Sequence, residues 1–256
     1  MHRIIVGGLA FLAAGMLLCG CTGPTKKGKE ARERAQKNFN LVRSRIDFDQ
    51  AMQAFTRGEM LEAQRHLEAA MEKSPREADY FVLLGRICLE TAQIEPAIIA
   101  FEKATEFDAE LPDPRYYLGI INERLERPDR AAMRYLEAYE RDRETPQYLT
   151  AAAEVLVGEG RLAEAEEILT RDLDRHQNNA AIHHLGGKVA LLRGQWTEAV
   201  NCLQRAVLLD EEDRWMVEDL ARAQLAAGHH SDCLASIRQL QELLDEGEGQ
   251  IERLRD

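Results

Sequence analysis

A 34-residue period runs through the chain six times without a gap, with copies starting at Ser44, Ala78, Pro112, Pro146, Ala180 and Arg214. A unit of that length cannot bury an apolar face alone, so neighbouring copies must stack into one continuous core. Four columns hold the register. Unit position 8 carries Ala51, Gly85, Gly119, Ala153, Gly187 and Ala221, all small, as two closely crossing helices require. Position 20 carries Ala63, Ala97, Ala131, Ala165, Ala199 and then Cys233. Position 24 carries Leu67, Phe101, Tyr135, Leu169, Leu203 and Ile237, a large apolar residue four places beyond the small one and so on the same helix face. Position 27 returns Ala70, Ala104, Ala138 and Ala206, while Asp172 and Leu240 break it in the fourth and sixth units.

The helix breakers fall at helix ends. Pro75, Pro112 and Pro146 sit at unit junctions, and Pro96, Pro114 and Pro128 fall in first turns, where a missing N–H costs least. Gly58, Gly160, Gly194 and Gly228 share position 15, where the first helix of a unit stops and a left-handed residue closes it.

Over about four fifths of the chain this pattern resembles the tetratricopeptide repeat family, best in the second unit through Phe81, Leu84, Gly85, Ala97, Phe101 and Ala104. The resemblance implies an all-α, right-handed superhelical solenoid of six helix-turn-helix units, at 44–77, 78–111, 112–145, 146–179, 180–213 and 214–247, with a tail at 248–256. Asp47, Gln50 and Gly186 fill usually apolar positions, so the first and fifth units are expected to be the softer ones.

Ahead of the repeats, residues 1–21 read as a signal segment. His2 and Arg3 precede an apolar run from Ile4 to Leu18, too short for an easy membrane span but suited to a secretory signal core. Leu18-Cys19-Gly20-Cys21 resembles a bacterial lipobox, which implies a lipoprotein acylated on Cys21, and Thr22 after it points by analogy to the outer membrane, facing the periplasm. An ordinary cleaved signal or an uncleaved anchor are the alternatives. Residues 22–43 form a basic linker or lead-in helix. Eight Lys or Arg in 22–45 face only Glu30 and Glu33. Such a segment suits anionic headgroups at about 1 kcal/mol per basic residue, or is simply a solvated lead-in. The rest of the chain carries all the acidic excess behind the net charge of −12, which argues against nucleic acid as a ligand.

No catalytic constellation stands out. His183-His184 and His229-His230 are adjacent pairs, which diverge by about 100° on a helix, unlike the i,i+4 pair of a zinc helix. Cys88, Cys202 and Cys233 are an odd number, and no disulfide is expected. Neither enzyme activity, a metal nor a cofactor is expected, a hydrolase with its site in the groove being the minority reading.

The resemblance instead implies a concave groove lined by positions 2, 5, 9 and 12 of the first helices. These are Phe48, Met52 and Phe55; Val82, Arg86 and Leu89; Tyr116, Ile120 and Glu123; His184, Lys188 and Leu191; and Trp215, Arg222 and Leu225. About half should pack against the next unit, and the remainder suit an extended or helical peptide. A carboxylate clamp for chaperone tails is not expected, because Phe48, Met52, Asp113 and Tyr117 stand where its polar residues would. In size and architecture the chain resembles the lipoprotein pilotins of type IV pilus systems. The implied role is a membrane-tethered adaptor for secretion or pilus assembly, the alternative being a scaffold for cell-wall enzymes.

Overall fold

The computed structural model describes residues 25–253. Within them the chain is helical, with six consecutive helix pairs: α1 (Lys26–Thr56) with α2 (Met60–Lys73), α3 (Ala78–Glu90) with α4 (Ile94–Phe107), α5 (Asp113–Arg124) with α6 (Pro128–Arg141), α7 (Pro146–Gly158) with α8 (Leu162–Arg171), α9 (Ala180–Leu192) with α10 (Trp196–Leu209), and α11 (Arg214–Ala226) with α12 (His230–Arg253). Each second helix packs on its own first helix and on the first helix of the next unit, giving a helical solenoid. No helix among the described residues is long and apolar enough to cross a membrane.

The small and large columns meet inside each pair. A methyl group built on Gly85 would come within 2.5 Å of the Phe101 ring, one on Gly119 within 2.4 Å of Tyr135, and one on Gly187 within 2.4 Å of Leu203. Glycine stands there because a bulky side chain from the second helix occupies the place of its Cβ. Ala63, Ala97, Ala131, Ala165 and Ala199 are all 0% exposed, so position 20 is the point where each second helix lies against its neighbours.

Each first helix is closed at position 15 by a residue in the left-handed region. Gly58, Gly160, Gly194 and Gly228 have φ between 71° and 79°. In the second and third units the same place is taken by Ala92 (φ 59°) and Glu126 (φ 54°), which have a Cβ and pay a steric cost for the same turn. The turn is kept because the next N–H reaches back to the helix: Gln93 donates to the Cys88 carbonyl and Arg127 to the Asn122 carbonyl.

Three regions depart from the regular repeat. The lead-in does not stop before the first unit, because α1 is one 31-residue helix that carries residues 26–43 straight into it. At the other end α12 runs on through Gly247 and Gly249 to Arg253. The fourth unit has the shortest second helix. α8 ends at Arg171, just before Asp172 breaks the position-27 column, and the chain turns through 172–179 before α9. That turn is pinned by buried His176, whose Nε2 lies 3.0 Å from the Tyr139 hydroxyl. Burial, and then the nearby Asp172 carboxylate, pushes Tyr139 up to about 12. The irregular Asp47 of the first unit is accommodated by a 2.6 Å ion pair to Lys73.

Candidate partner-binding groove

The first helices of adjacent units touch, α1 with α3, α3 with α5, α7 with α9 and α9 with α11. They therefore form the inner wall. Of the expected groove residues, Val82 and Leu89 are buried, 7% and 8% exposed, and belong to the packing between units instead of the open surface. Phe48, Met52, Phe55, Arg86, Tyr116, Ile120, His184, Lys188 and Leu191 are half-buried, and Glu123, Trp215, Arg222 and Leu225 are exposed. Cys21 lies outside the described residues.

The N-terminal part of the wall is aromatic. Phe48 stacks on Tyr80 at 4.8 Å, and the Tyr80 hydroxyl donates to the buried Ser44 hydroxyl at 3.0 Å. Arg86 places its guanidinium 4.6 Å from the Phe55 ring centre and 5.7 Å from that of Tyr117, and it makes no ion pair among the described residues. Tyr117 in turn stacks on Phe101 at 5.1 Å. Tyr116 sits among three further rings, Tyr117, Tyr135 and Tyr148, at 5.3 to 5.6 Å. Two phenols here are tied to carboxylates: Tyr135 donates to Glu123, and Tyr148 donates to Asp113 at 2.9 Å. Burial first, then those acceptors, raises both phenols well above their ordinary value. The result is a stiff aromatic wall with one cation laid across it.

The C-terminal part is a charged network. His184 Nε2 lies 2.8 Å from Asp219, and Arg222 bridges Asp219 at 3.2 Å and Glu218 at 2.5 Å. Burial alone would raise the Asp219 carboxyl, but hydrogen bonding to His184 and the charges of His184, Lys188 and Arg222 bring it below its ordinary value. Arg222 is thus already neutralised by its own helix, while Arg86 is not. Trp215 is 60% exposed, with Arg214 4.9 Å from its ring centre. His183, beside His184 in sequence, points elsewhere, its Nε2 3.0 Å from the Gln177 carbonyl.

Among the described residues no Ser, Thr or Cys hydrogen-bonds to the His184–Asp219 pair, so it is a pair without a nucleophile. No three His, Cys, Asp or Glu side chains there form a metal ligand set. Cys88, Cys202 and Cys233 are free thiols; burial raises Cys88, and burial with Glu198 raises Cys202.

One cleft was not foreseen from the sequence. It has about 750 Å³ of space and lies on the outer face between α6 and α8, over Met133, Leu136, Leu156 and Ile168. Its rim charges already pair with one another, Arg161 with Asp129 and Glu164, and Arg134 with Glu137. A ligand there would have to displace these pairs. The aromatic inner wall demands no such exchange, and on that ground it is the better binding surface.

The helix pairs, the closing left-handed turns and the touching first helices define a helical-repeat solenoid, and residues 48–112 match the tetratricopeptide repeat family model. No curated protein matches the chain in sequence. Among solved structures, the chain is similar to pilF of Pseudomonas aeruginosa, with 17% identity, 87% of this chain and 99% of that one covered, and a TM-score of 0.62. It is also similar to PilW, described as a widely conserved type IV pilus biogenesis factor, with 18% identity, 78% and 92% covered and a TM-score of 0.62. YrrB, a tetratricopeptide protein described as having an unusual peptide-binding site, shares 15% identity over 74% of this chain and 98% of its own, with a TM-score of 0.56. At these identities the likeness is one of fold.

Proposed function

We propose that the protein is an adaptor of the bacterial envelope, tethered by a lipid on Cys21 at the outer membrane and gripping a protein or peptide segment in its inner groove, in the service of secretion or pilus assembly. The observation that carries the groove assignment is Arg86, a guanidinium without an ion pair among the described residues, laid over Phe55 and beside Tyr117. An aromatic wall with one free cation offers pockets for apolar side chains and one fixed point for an acidic group, the combination that sets the register of a bound peptide. The pilus address rests on the fold shared with pilF and PilW over most of each chain, and the tether on the sequence around Cys21. No enzymatic step is assigned: among the described residues no Ser, Thr or Cys hydrogen-bonds to the His184–Asp219 pair.

The test is affinity purification of the anchored protein from its native membranes, followed by mass spectrometry, beside a variant with Arg86, Lys188 and Arg222 all changed to Glu. Secretin or pilus components recovered by the parent and lost by the variant support the reading. Cell-wall enzymes in their place would move the protein to a different assembly. Partners unchanged in the variant would remove the groove from the account.

A further inference from the structure

The first turns of α1 project beyond the repeats and carry two opposite faces. From Ser44 onward the core side holds Ser44, Ala51 and Ala54, all buried. On the other side Ala31, Ala35, Phe39, Val42 and Ile46 recur at spacings of four, four, three and four, which places them in one stripe along the helix. The stripe has no cover from the described residues: Phe39 is 55% exposed, Val42 59% and Ile46 53%. Asp49 ends it.

The charges are sorted around that stripe. At 100° per residue, Lys27, Arg34 and Arg45 fall along one border, and Arg32 and Arg43 along the other. Lys26, Lys29 and Lys37 fall on the opposite side of the helix together with Glu30 and Glu33, so the two borders of the stripe carry bases and no acid. Long basic side chains on both borders of an apolar stripe can reach up to phosphates while the stripe sinks below them. A solvated lead-in helix has no reason to keep acids off both borders of an apolar stripe, and a protein partner would not need cations on both borders.

We infer that α1 lies in the surface of an anionic lipid membrane through the Ala31–Ile46 stripe, with the flanking Lys and Arg on the headgroups, and so fixes the orientation of the solenoid. The inference deepens the tethered-adaptor reading and rests on its membrane address. Because α1 is continuous into the first unit, a helix held in the surface leaves that unit no freedom to swing. Phe48, Met52 and Phe55 fall roughly 130° around the same helix from the stripe, so the groove is turned away from the lipid.

The experiment uses the full chain in vesicles of phosphatidylcholine with phosphatidylglycerol, after Trp196→Phe and Trp215→Phe have cleared the background. A reporter is placed on the stripe by Phe39→Trp or on the far side by Glu33→Trp, with brominated lipid as quencher. The expected result is several-fold stronger quenching at position 39 than at 33, falling when phosphatidylglycerol is omitted or salt is raised. Equal quenching at both positions, or none at either, overturns the inference. Position 39 shielded from aqueous quencher but untouched by brominated lipid, in proportion to protein density, would give the stripe to a second copy and also overturn it. The tether is read separately, by the mass of the N-terminal peptide. A chain lacking lipid on Cys21 refutes the tether while the tryptophan readout on added vesicles still decides the helix.

Discussion

The two ends of the groove solve the same architectural problem with different chemistry. Around α3 and α5 the wall is made of rings, with Phe48 on Tyr80, Tyr117 on Phe101, and Tyr116 between Tyr135 and Tyr148. Around α9 and α11 it is made of charges that satisfy one another, His184 with Asp219 and Arg222 with Asp219 and Glu218. The difference extends to the turns: the aromatic part closes two first helices with Ala92 and Glu126, the charged part with Gly194 and Gly228. The first region spends backbone strain and keeps a cation free; the second has relaxed turns and no free guanidinium among the expected groove residues. Binding capacity and local comfort are therefore placed in different units.

The largest way to break this comparison is to remove a ring. Phe101→Ala deletes a side chain with no exposed surface, beside a glycine that cannot refill the space, and should cost about 3–5 kcal/mol in chemical denaturation. Hydrogen exchange should show the loss concentrated in the second and third units. A loss spread evenly over all six would mean that the aromatic wall is not a separate cooperative region. Next comes the partner. Arg86→Ala should weaken binding by about 2 kcal/mol or more, and Arg222→Ala by far less, because Arg222 is already committed to Glu218 and Asp219. Equal losses by titration calorimetry would show that the charged end grips as well.

Asp219→Asn probes the charged end alone. Since the fold holds that carboxyl below its ordinary value, its contribution is complete above the ordinary value and is lost as pH falls through the lowered one. The variant should lose about 1–3 kcal/mol at neutral pH and show a shallower acid limb of stability. An acid limb identical to the parent's would make the network ornamental. The smallest effect is a gain: Ala92→Gly or Glu126→Gly should raise stability by about 1 kcal/mol by relieving left-handed backbone strain. Gly194→Ala, the reverse change at the charged end, should lower it by a similar amount.

The repeat was legible because its columns are set by volume, and volume is written in residue identity. Position 8 reads as small and position 24 as large from the sequence, and the structure shows that Gly85 meets Phe101 and Gly119 meets Tyr135. The groove was legible only as a list of positions. Spacing cannot say that Val82 and Leu89 would be covered by the neighbouring unit while Trp215, at the open end, would be left 60% exposed. Nor could it show that Arg222 is neutralised and Arg86 is not, since their acidic neighbours are set by side-chain direction. His176 was missed because it lies outside every repeat column. Its signal was the Asp172 break, which marks where α8 ends early and needs a new support. The outer cleft was invisible because it is a gap between second helices, and gaps have no residue of their own.

The Gly85–Phe101 contact also bears on how such a chain can change over generations. One unit sets Gly85 against the Phe101 ring, and another carries Ala153 and Leu169, both buried, at the same two positions. Moving from one arrangement to the other needs two substitutions, and either one alone passes through a collision or a hole. A copy that has taken one arrangement is held to it, so six units descended from a common repeat can keep separate identities and resist being averaged back into one.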